Sequence, residues 1–545
     1  MNTSSGNASR TVVWLRDELA KAADIERELR QFEREERVRL GLVEAPTGHW
    51  RDAAPQRFTR AERDHTTLLC GGLTQAQDLL VQGALRGIGY QVKVLDTPDN
   101  EALRFGREFG NRGQCNPTYF TVGNLVKHLV GLRDVQGLST QEIIERHVFV
   151  TAGACGPCRF GTYATEYRKA LRDAGFEGFR VLLFQQQGGL RQACGGGDGL
   201  ALDRRFFFAV LRAVIAGDVL NAMGYRMRPY ECAPGATEAA LARCKALLHD
   251  ALATRSSMLA ALWTCRRLLR AVALDRTQVK PKVSVIGEFW AMTTEGDGNY
   301  RLQAFLEAEG AEVDVQPVTA WLLYNVWQVR WDTRRRMKLQ EADPGRHGLA
   351  WKHPLWRLAT MRAADVALRS AYALYAATLG LKAWRLCDLD EIATLSHPFY
   401  DNHLRGGEGH MEVGKLIQSV KYRKAHMVVS VKPFGCMPSS GVSDGVQSLV
   451  TEKYPQAVFC TIETTGDGAA NAYSRLMRDL FKARRLAREE HEADLCSRGA
   501  RADELALREY DACRPKVSGA LHNPAANDLA EAAARVDPSI GGSAP

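Results

Sequence analysis

The chain has 545 residues and a formal net charge of +9. That length exceeds what one hydrophobic core serves and predicts two α/β domains with additions. With 25% charged and 45% hydrophobic residues it is not a disordered chain. The modest positive charge forms no single basic block, which argues against nucleic acid and leaves an acidic partner or an anionic substrate open.

Residues 1–60 read as a leader. DELAKAADIERELRQFEREERVRL is a charged helix with partly regular apolar spacing, and the first residues lack the apolar core of a signal peptide. No run reaches membrane-spanning length. The longest apolar stretch, SAYALYAATLGL at 370–381, is short and flanked by Arg369 and Lys382. Together these features predict a cytoplasmic protein with no membrane partner. From Thr66 a βαβ rhythm begins: TTLLCGG as a strand ending in glycines, QAQDLLVQGALRGIGY as a helix, QVKVLD as a strand. It continues with HVFVTAG, a helix over 163–174, and FRVLLFQ. The expected first α/β domain spans 61–235, and a helical connection spans 236–275. The rhythm restarts at KVSVIGEFW and continues through AEVDVQP, AHMVVSVKPFG and AVFCTIET. That gives a second α/β domain over 276–480, with a helical insertion at about 318–395. Residues 481–545 are expected to form a helix and then a disordered tail. Strands alternating with helices predict parallel sheets covered on both faces.

Thirteen cysteines in a cytoplasmic chain do not read as structural disulfides. Five of them precede proline by two residues, well beyond random placement: Cys115, Cys155, Cys232, Cys436 and Cys513. After Cys115, Cys155 and Cys436 the same order follows, of proline, small or polar residues and an amphipathic helix. Proline suits the first helical turn, so each of these cysteines sits at a helix start. The dipole and free N–H groups there favour a thiolate. Two of the three directly follow strands, at the carboxyl edges where open α/β folds place ligands. Soft thiolates suit iron–sulfur clusters or zinc. Cys155-Gly-Pro-Cys158 is also compatible with a thioredoxin-type redox pair or with a tight turn. Neither alternative accounts for Cys115 and Cys436 in matching settings, and structural zinc prefers two CxxC pairs. Cys70, Cys244, Cys265, Cys387, Cys460 and Cys496 read as core or surface cysteines, with Cys194 and Cys232 in reserve.

Gly409–Leu416 superficially fits a phosphate loop. It ends in Leu416 where magnesium needs a hydroxyl, and it follows a loop rather than a strand. No ATP site is expected there, and the acidic, glycine-rich turn Glu463–Gly468 reads as a strand end, with anion binding as the alternative.

RGQCNPTYFTVGNLV, TAGACGPCRFGTYATEYRKALRDAGF, FQQQGGLRQ, RPYE and KPFGCMPSSG resemble iron–sulfur proteins related to 2-hydroxyacyl-CoA dehydratases. The nearer resemblance is to the acyl-CoA dehydratase activase-related branch, with double-cubane cluster proteins as relatives. SVIGEFW and HPFYDNHLRGGEG also fit, and the resemblance covers roughly 58–480. It implies two Rossmann-like or flavodoxin-like domains holding a 4Fe-4S cluster between them, or a double-cubane cluster. It further implies a separate activase ATPase of the actin/sugar-kinase fold that donates one electron at very low potential. In the dehydratases that electron forms a ketyl radical on a 2-hydroxyacyl-CoA, and in the double-cubane relatives it reduces small molecules, so the resemblance implies an acyl-CoA or small-molecule substrate. Carried over residue by residue, the implied ligands are Cys115, Cys155, Cys158 and Cys436. Arg159 and the 153–156 backbone would hydrogen-bond the cluster, while His397, Tyr400, His403 and Glu408 would face the substrate or supply protons. The chain departs from the dehydratases in carrying no activase segment and in its leader and tail. The substrate, the cluster nuclearity and the oligomeric state stay open. So does the choice between catalysis and a non-catalytic scaffold on the activase, or a thiol oxidoreductase using Cys155 and Cys158.

Overall fold

Two sheets organise the chain, each with four strands that run parallel throughout. The computed structural model describes residues 58–153, 158–184, 199–340, 353–381, 385–404, 408–440, 445–497 and 525, together with most of 24–40. The first sheet has β1 (Thr67–Cys70), β2 (Gln91–Val94), β3 (His147–Ala152) and β4 (Arg180–Phe184), in the order β2-β1-β3-β4. The second has β5 (Lys282–Gly287), β6 (Glu312–Val315), β7 (Met427–Pro433) and β8 (Phe459–Thr464), in the order β6-β5-β7-β8. The expected α/β class with Rossmann-like or flavodoxin-like sheets is therefore the observed one. Every residue of β7 is buried, as a strand covered by helices on both faces requires.

The helices that cover the first sheet are α1 (Gln75–Gly87), α2 (Asn100–Phe109), α3 (Asn116–Asp134), α4 (Thr140–Arg146) and α5 (Tyr163–Asp173). α1 starts on a capping box, in which the Thr74 hydroxyl accepts from Gln77 N and the Gln77 side chain takes Thr74 N. Three further helices follow, α6 (Arg204–Met227), α7 (Ala236–Ala253) and α8 (Met258–Arg270). The second half adds α9 (Phe289–Thr293), α10 (Leu302–Ala308), α11 (Val318–Gln340), α12 (Pro354–Leu379), α13 (Leu389–Ser396), α14 (His410–Lys421), α15 (Met437–Ser440), α16 (Gln447–Lys453) and α17 (Ala469–Ser497). The segment expected as a helical insertion holds α11, α12 and α13, while the tail beyond α17 lies outside the described residues apart from Ala525.

A helical layer joins the halves. Leu80 of α1, Leu220 of α6, Leu248 of α7, Leu262 of α8 and Leu379 of α12 share one core, each contributing ~2 kcal/mol by burial. Helix α6 corrects one sequence reading. Arg204–Tyr230 is long enough, and an 18-residue stretch of it apolar enough, to cross a membrane by composition, with mean hydropathy 1.7 over that stretch. The reading that singled out 370–381 passed over it, because Arg204, Arg205 and Arg212 break its start. Most of that apolar stretch, 61%, is buried inside the protein. On α6, fully buried Asp218 accepts from Val318 N at 2.9 Å, Thr319 N at 2.7 Å and Gln77 Nε2 at 2.8 Å. One carboxylate thus caps α11 and holds α1, with its burial offset by several donors.

Direct contacts bring the two carboxyl edges together. Glu295 Oε2 accepts from Gln75 N at 2.7 Å, Asp297 Oδ2 from Asn100 N at 3.0 Å, and Phe434 O from Asn116 N at 3.0 Å. The Phe120 and Trp290 rings lie 5.7 Å apart.

Residues 1–54 form a unit of their own, and residues 55–545 the other. In the first, the described positions between 24 and 39 are helical. An Arg37–Glu33 ion pair of 2.9 Å runs along the helix, and Ile25, Leu29 and Phe32 are exposed on it.

Candidate metal centre

Cys115 is the N-cap of α3. Its backbone is extended, with φ −73° and ψ 154°, and Pro117 sits in the first turn, the placement that the Cys-x-Pro spacing predicts. Its Sγ lies 3.0 Å from the Thr118 hydroxyl and 3.1 Å from the Tyr163 hydroxyl. Cys158 caps the short 3-10 turn Arg159–Thr162, where its Sγ accepts from Phe160 N at 3.5 Å. Cys436 follows β7 through Phe434 and Gly435 and precedes α15. Cys115 and Cys436 are both 7% exposed, and Cys158 is half-buried. Cys155, Gly156 and Pro157 lie outside the described residues, as do Cys194 and Cys513.

Gly435, the residue before Cys436, packs against the Cys115 backbone from the opposite half. Its φ is +77°, and a Cβ there would stand 3.2 Å from Cys115 Cα and 3.4 Å from Gln114 O. Both the left-handed backbone and the close approach call for glycine. Gly435→Ala is expected to destabilise the protein by about 1–3 kcal/mol. Denaturant unfolding would read this as a lowered midpoint, with Cys115 alkylated faster in the variant because the cover over it has moved.

Carboxyl groups surround the thiols. Glu288 follows β5 just as Cys436 follows β7. Its N donates to Val431 O at 2.9 Å, and its Oε2 accepts from Ala291 N at 2.8 Å as the cap of α9. Glu408, 3% exposed, accepts from Phe289 N at 2.7 Å through Oε1, whereas its Oε2 is buried with no hydrogen-bond partner among the described residues. Glu412 Oε1 accepts from the Ser439 hydroxyl at 3.1 Å. Burial, then the charges of Glu288 and Glu412, hold the Glu408 carboxyl well above the usual carboxylate range, so the partnerless Oε2 is the oxygen placed to carry its proton. Burial pushes the Cys158 thiol up to about 11, with Glu288, Cys115 and Glu408 adding to the shift. Burial and the same two glutamates raise Cys436. Positive charge brought into this group would oppose those shifts and favour the thiolates.

The chemistry of the donors, soft thiols from two halves, fits an iron–sulfur group. Among the described residues no three His, Cys, Asp or Glu side chains stand close enough together to hold a metal ion. The implied fourth ligand, Cys155, falls outside those residues.

The other singled-out residues disperse. The Arg159 guanidinium donates to Gly113 O, two residues before Cys115. His397 and His403 are exposed, the latter hydrogen-bonded to Asp401 at 2.7 Å. Tyr400 packs with Val413 and Ile417, and burial raises it to about 12. Of the HPFYDNHLRGGEG group, Glu408 is the one whose charge reaches the thiols. Cys232 is exposed on the turn after α6. His410–Leu416 lie within α14, so Gly409–Leu416 is a helix start and not a phosphate loop. The amides of Thr465 and Gly468, after β8, are taken by the Tyr300 hydroxyl at 2.8 and 3.3 Å.

Sequence reasoning missed Glu288 and the bond from Tyr163 to Cys115. The signal for Glu288 was available: SVIGEFW places a glycine and an acid directly after a strand, as KPFGC places a glycine and a cysteine. No family model and no curated protein matches the chain.

Proposed function

We propose that the chain is the iron–sulfur component of a 2-hydroxyacyl-CoA dehydratase-like or ATP-dependent low-potential reductase system. The supporting observation is the packing of Gly435, the neighbour of Cys436, on the Cys115 backbone from the opposite half, with the charges of Cys115, Glu288 and Glu408 bearing on Cys158. Cys115, Cys155, Cys158 and Cys436 would hold a 4Fe-4S cluster, with a double-cubane cluster as the larger alternative. Such a cluster supplies one-electron transfer at low potential. The protein's own groups hold Cys115 Sγ against two hydroxyls, keep water from two of the thiols by burial, and place a proton on Glu408. Electrons would come from a separate activase ATPase of the actin/sugar-kinase fold, and the substrate would be an acyl-CoA or another small molecule.

The test is anaerobic purification without added iron, followed by iron and acid-labile sulfide analysis. About four of each per chain are expected for one cubane, and about eight iron for a double cubane. The metal should be lost in Cys115→Ser, Cys158→Ser and Cys436→Ser alike. A metal-free protein with a reversible Cys155–Cys158 disulfide, indifferent to Cys115 and Cys436, would mark a thiol oxidoreductase instead. Iron without turnover in the presence of an activase would mark a scaffold.

A further inference from the structure

Cys244 on α7 and Cys265 on α8 are both fully buried, and they face each other across the hairpin formed by these two helices. Each sulfur lies 3.8 Å from the other residue's carbonyl oxygen, a reciprocal arrangement 21 residues apart in sequence. Neither belongs to the thiol group around Cys115.

We propose that Cys244 and Cys265 form a dithiol modification site that a thiol oxidant closes into an intramolecular disulfide, tying α7 to α8. The hydrogen bond between the two thiols favours Cys244 as the thiolate, which makes it the attacking sulfur. With an azo oxidant such as diamide the balance is complete. The Cys244 thiolate adds to one nitrogen of the N=N bond, and the Cys265 thiolate then attacks the Cys244 sulfur and expels the hydrazine. Two protons and two electrons leave the thiols and reside on the two nitrogens.

The site matters because of what the hairpin touches. α7 lies hard against α1: a Cβ at Gly83 would stand 2.7 Å from His249 O, and one at Gly87 would stand 2.3 Å from Leu252 O. α8 packs on α12 through the core shared by Leu262, Leu269 and Leu379. A covalent link between α7 and α8 therefore joins a helix resting on the first sheet's layer to one resting on the second half's insertion. Both sulfurs are shielded, so the reaction follows opening of α8, whose outer face carries exposed Leu259 and Trp263.

The test treats the full-length protein with diamide over hours, alkylates free thiols in denaturant, and maps peptides by mass spectrometry. Exposed Cys232 and Cys496 report that the oxidant has acted. The expected result is a peptide linking Cys244 to Cys265 that dithiothreitol releases. The oxidised wild type should also unfold a few degrees higher, an increase absent in Cys265→Ser. Recovery of Cys244 and Cys265 as separate alkylated peptides after Cys232 and Cys496 have reacted would overturn the proposal, as would linkage of either to another cysteine. Iron content is a separate readout, so failure here leaves the cluster reading to its own test.

Discussion

A chain carrying Gly287→Ala is expected to lose the second sheet and collect as insoluble protein. Gly287 ends β5 with φ +127°, in register with Val431 on the central strand β7. A Cβ there would stand 2.1 Å from Val431 O and 2.6 Å from Val431 N. The obstacle is backbone in a ladder, and the same carbonyl accepts from Glu288 N, so no rotamer change relieves it. The strain and the overlap together should cost about 4 kcal/mol or more. Gly89→Ala is the matched control. Gly89 also has a left-handed φ, +92°, but nothing lies within 4 Å of its Cβ position, so it should cost only about 1 kcal/mol. Soluble yield and thermal unfolding of the pair separate strain from collision, and equal behaviour of the two variants would contradict the close approach of β5 to β7.

The sheets were legible because their strands are short apolar runs punctuated by glycine, with helices of clear period between them; TTLLCGG and KVSVIGEFW each mark a first strand. The helix starts after Cys115 and Cys436 were legible for a local reason, since proline and small residues suit the first turn; the third one expected, at Cys155, lies outside the described residues. Helix α6 was harder, because its apolar surface is spread around the helix to serve a shared core and not one stripe. The carboxyl groups at the thiol site were the least legible. Glu288 and Glu408 are 120 residues apart in sequence, and their meeting depends on β5 and β7 being neighbours. No local pattern encodes that adjacency. A buried carboxyl oxygen with no partner among the described residues, as at Glu408 Oε2, becomes visible only when its surroundings are counted.

Asp78 is expected to make stability fall as pH rises toward neutrality, and its share of that fall should vanish in Asp78→Asn. This carboxylate on α1 accepts from Gly72 N at 3.1 Å and Leu73 N at 3.2 Å, turning the glycine loop after β1 back on itself. It borders a cavity of about 30 Å³ shared with Tyr167, Trp290 and Glu295. Burial raises it from the ordinary aspartate value of 3.8 to about 7, against the two amides, with the charge of Glu295 adding to the rise. The Asp78 charge in turn adds to the burial that pushes the Cys70 thiol up to about 12. The folded value lies above the unfolded one. Between pH 3.8 and about 7 the folded state therefore binds a proton that the unfolded state has released, and stability declines as pH rises through that window. Above it the penalty is full, with a ceiling of ~4 kcal/mol that water in the cavity reduces. Asp78→Asn keeps an oxygen for one of the two amides and removes the charge. Its unfolding midpoint relative to wild type should rise between pH 5 and about 8 and then level off. Parallel profiles for the two proteins would show that Asp78 is already ionised at low pH and that the cavity is open to solvent. The two amides it holds and the Gln75 amide held by Glu295 are the donors a phosphate would need at this helix start, so carboxylates already occupy them here.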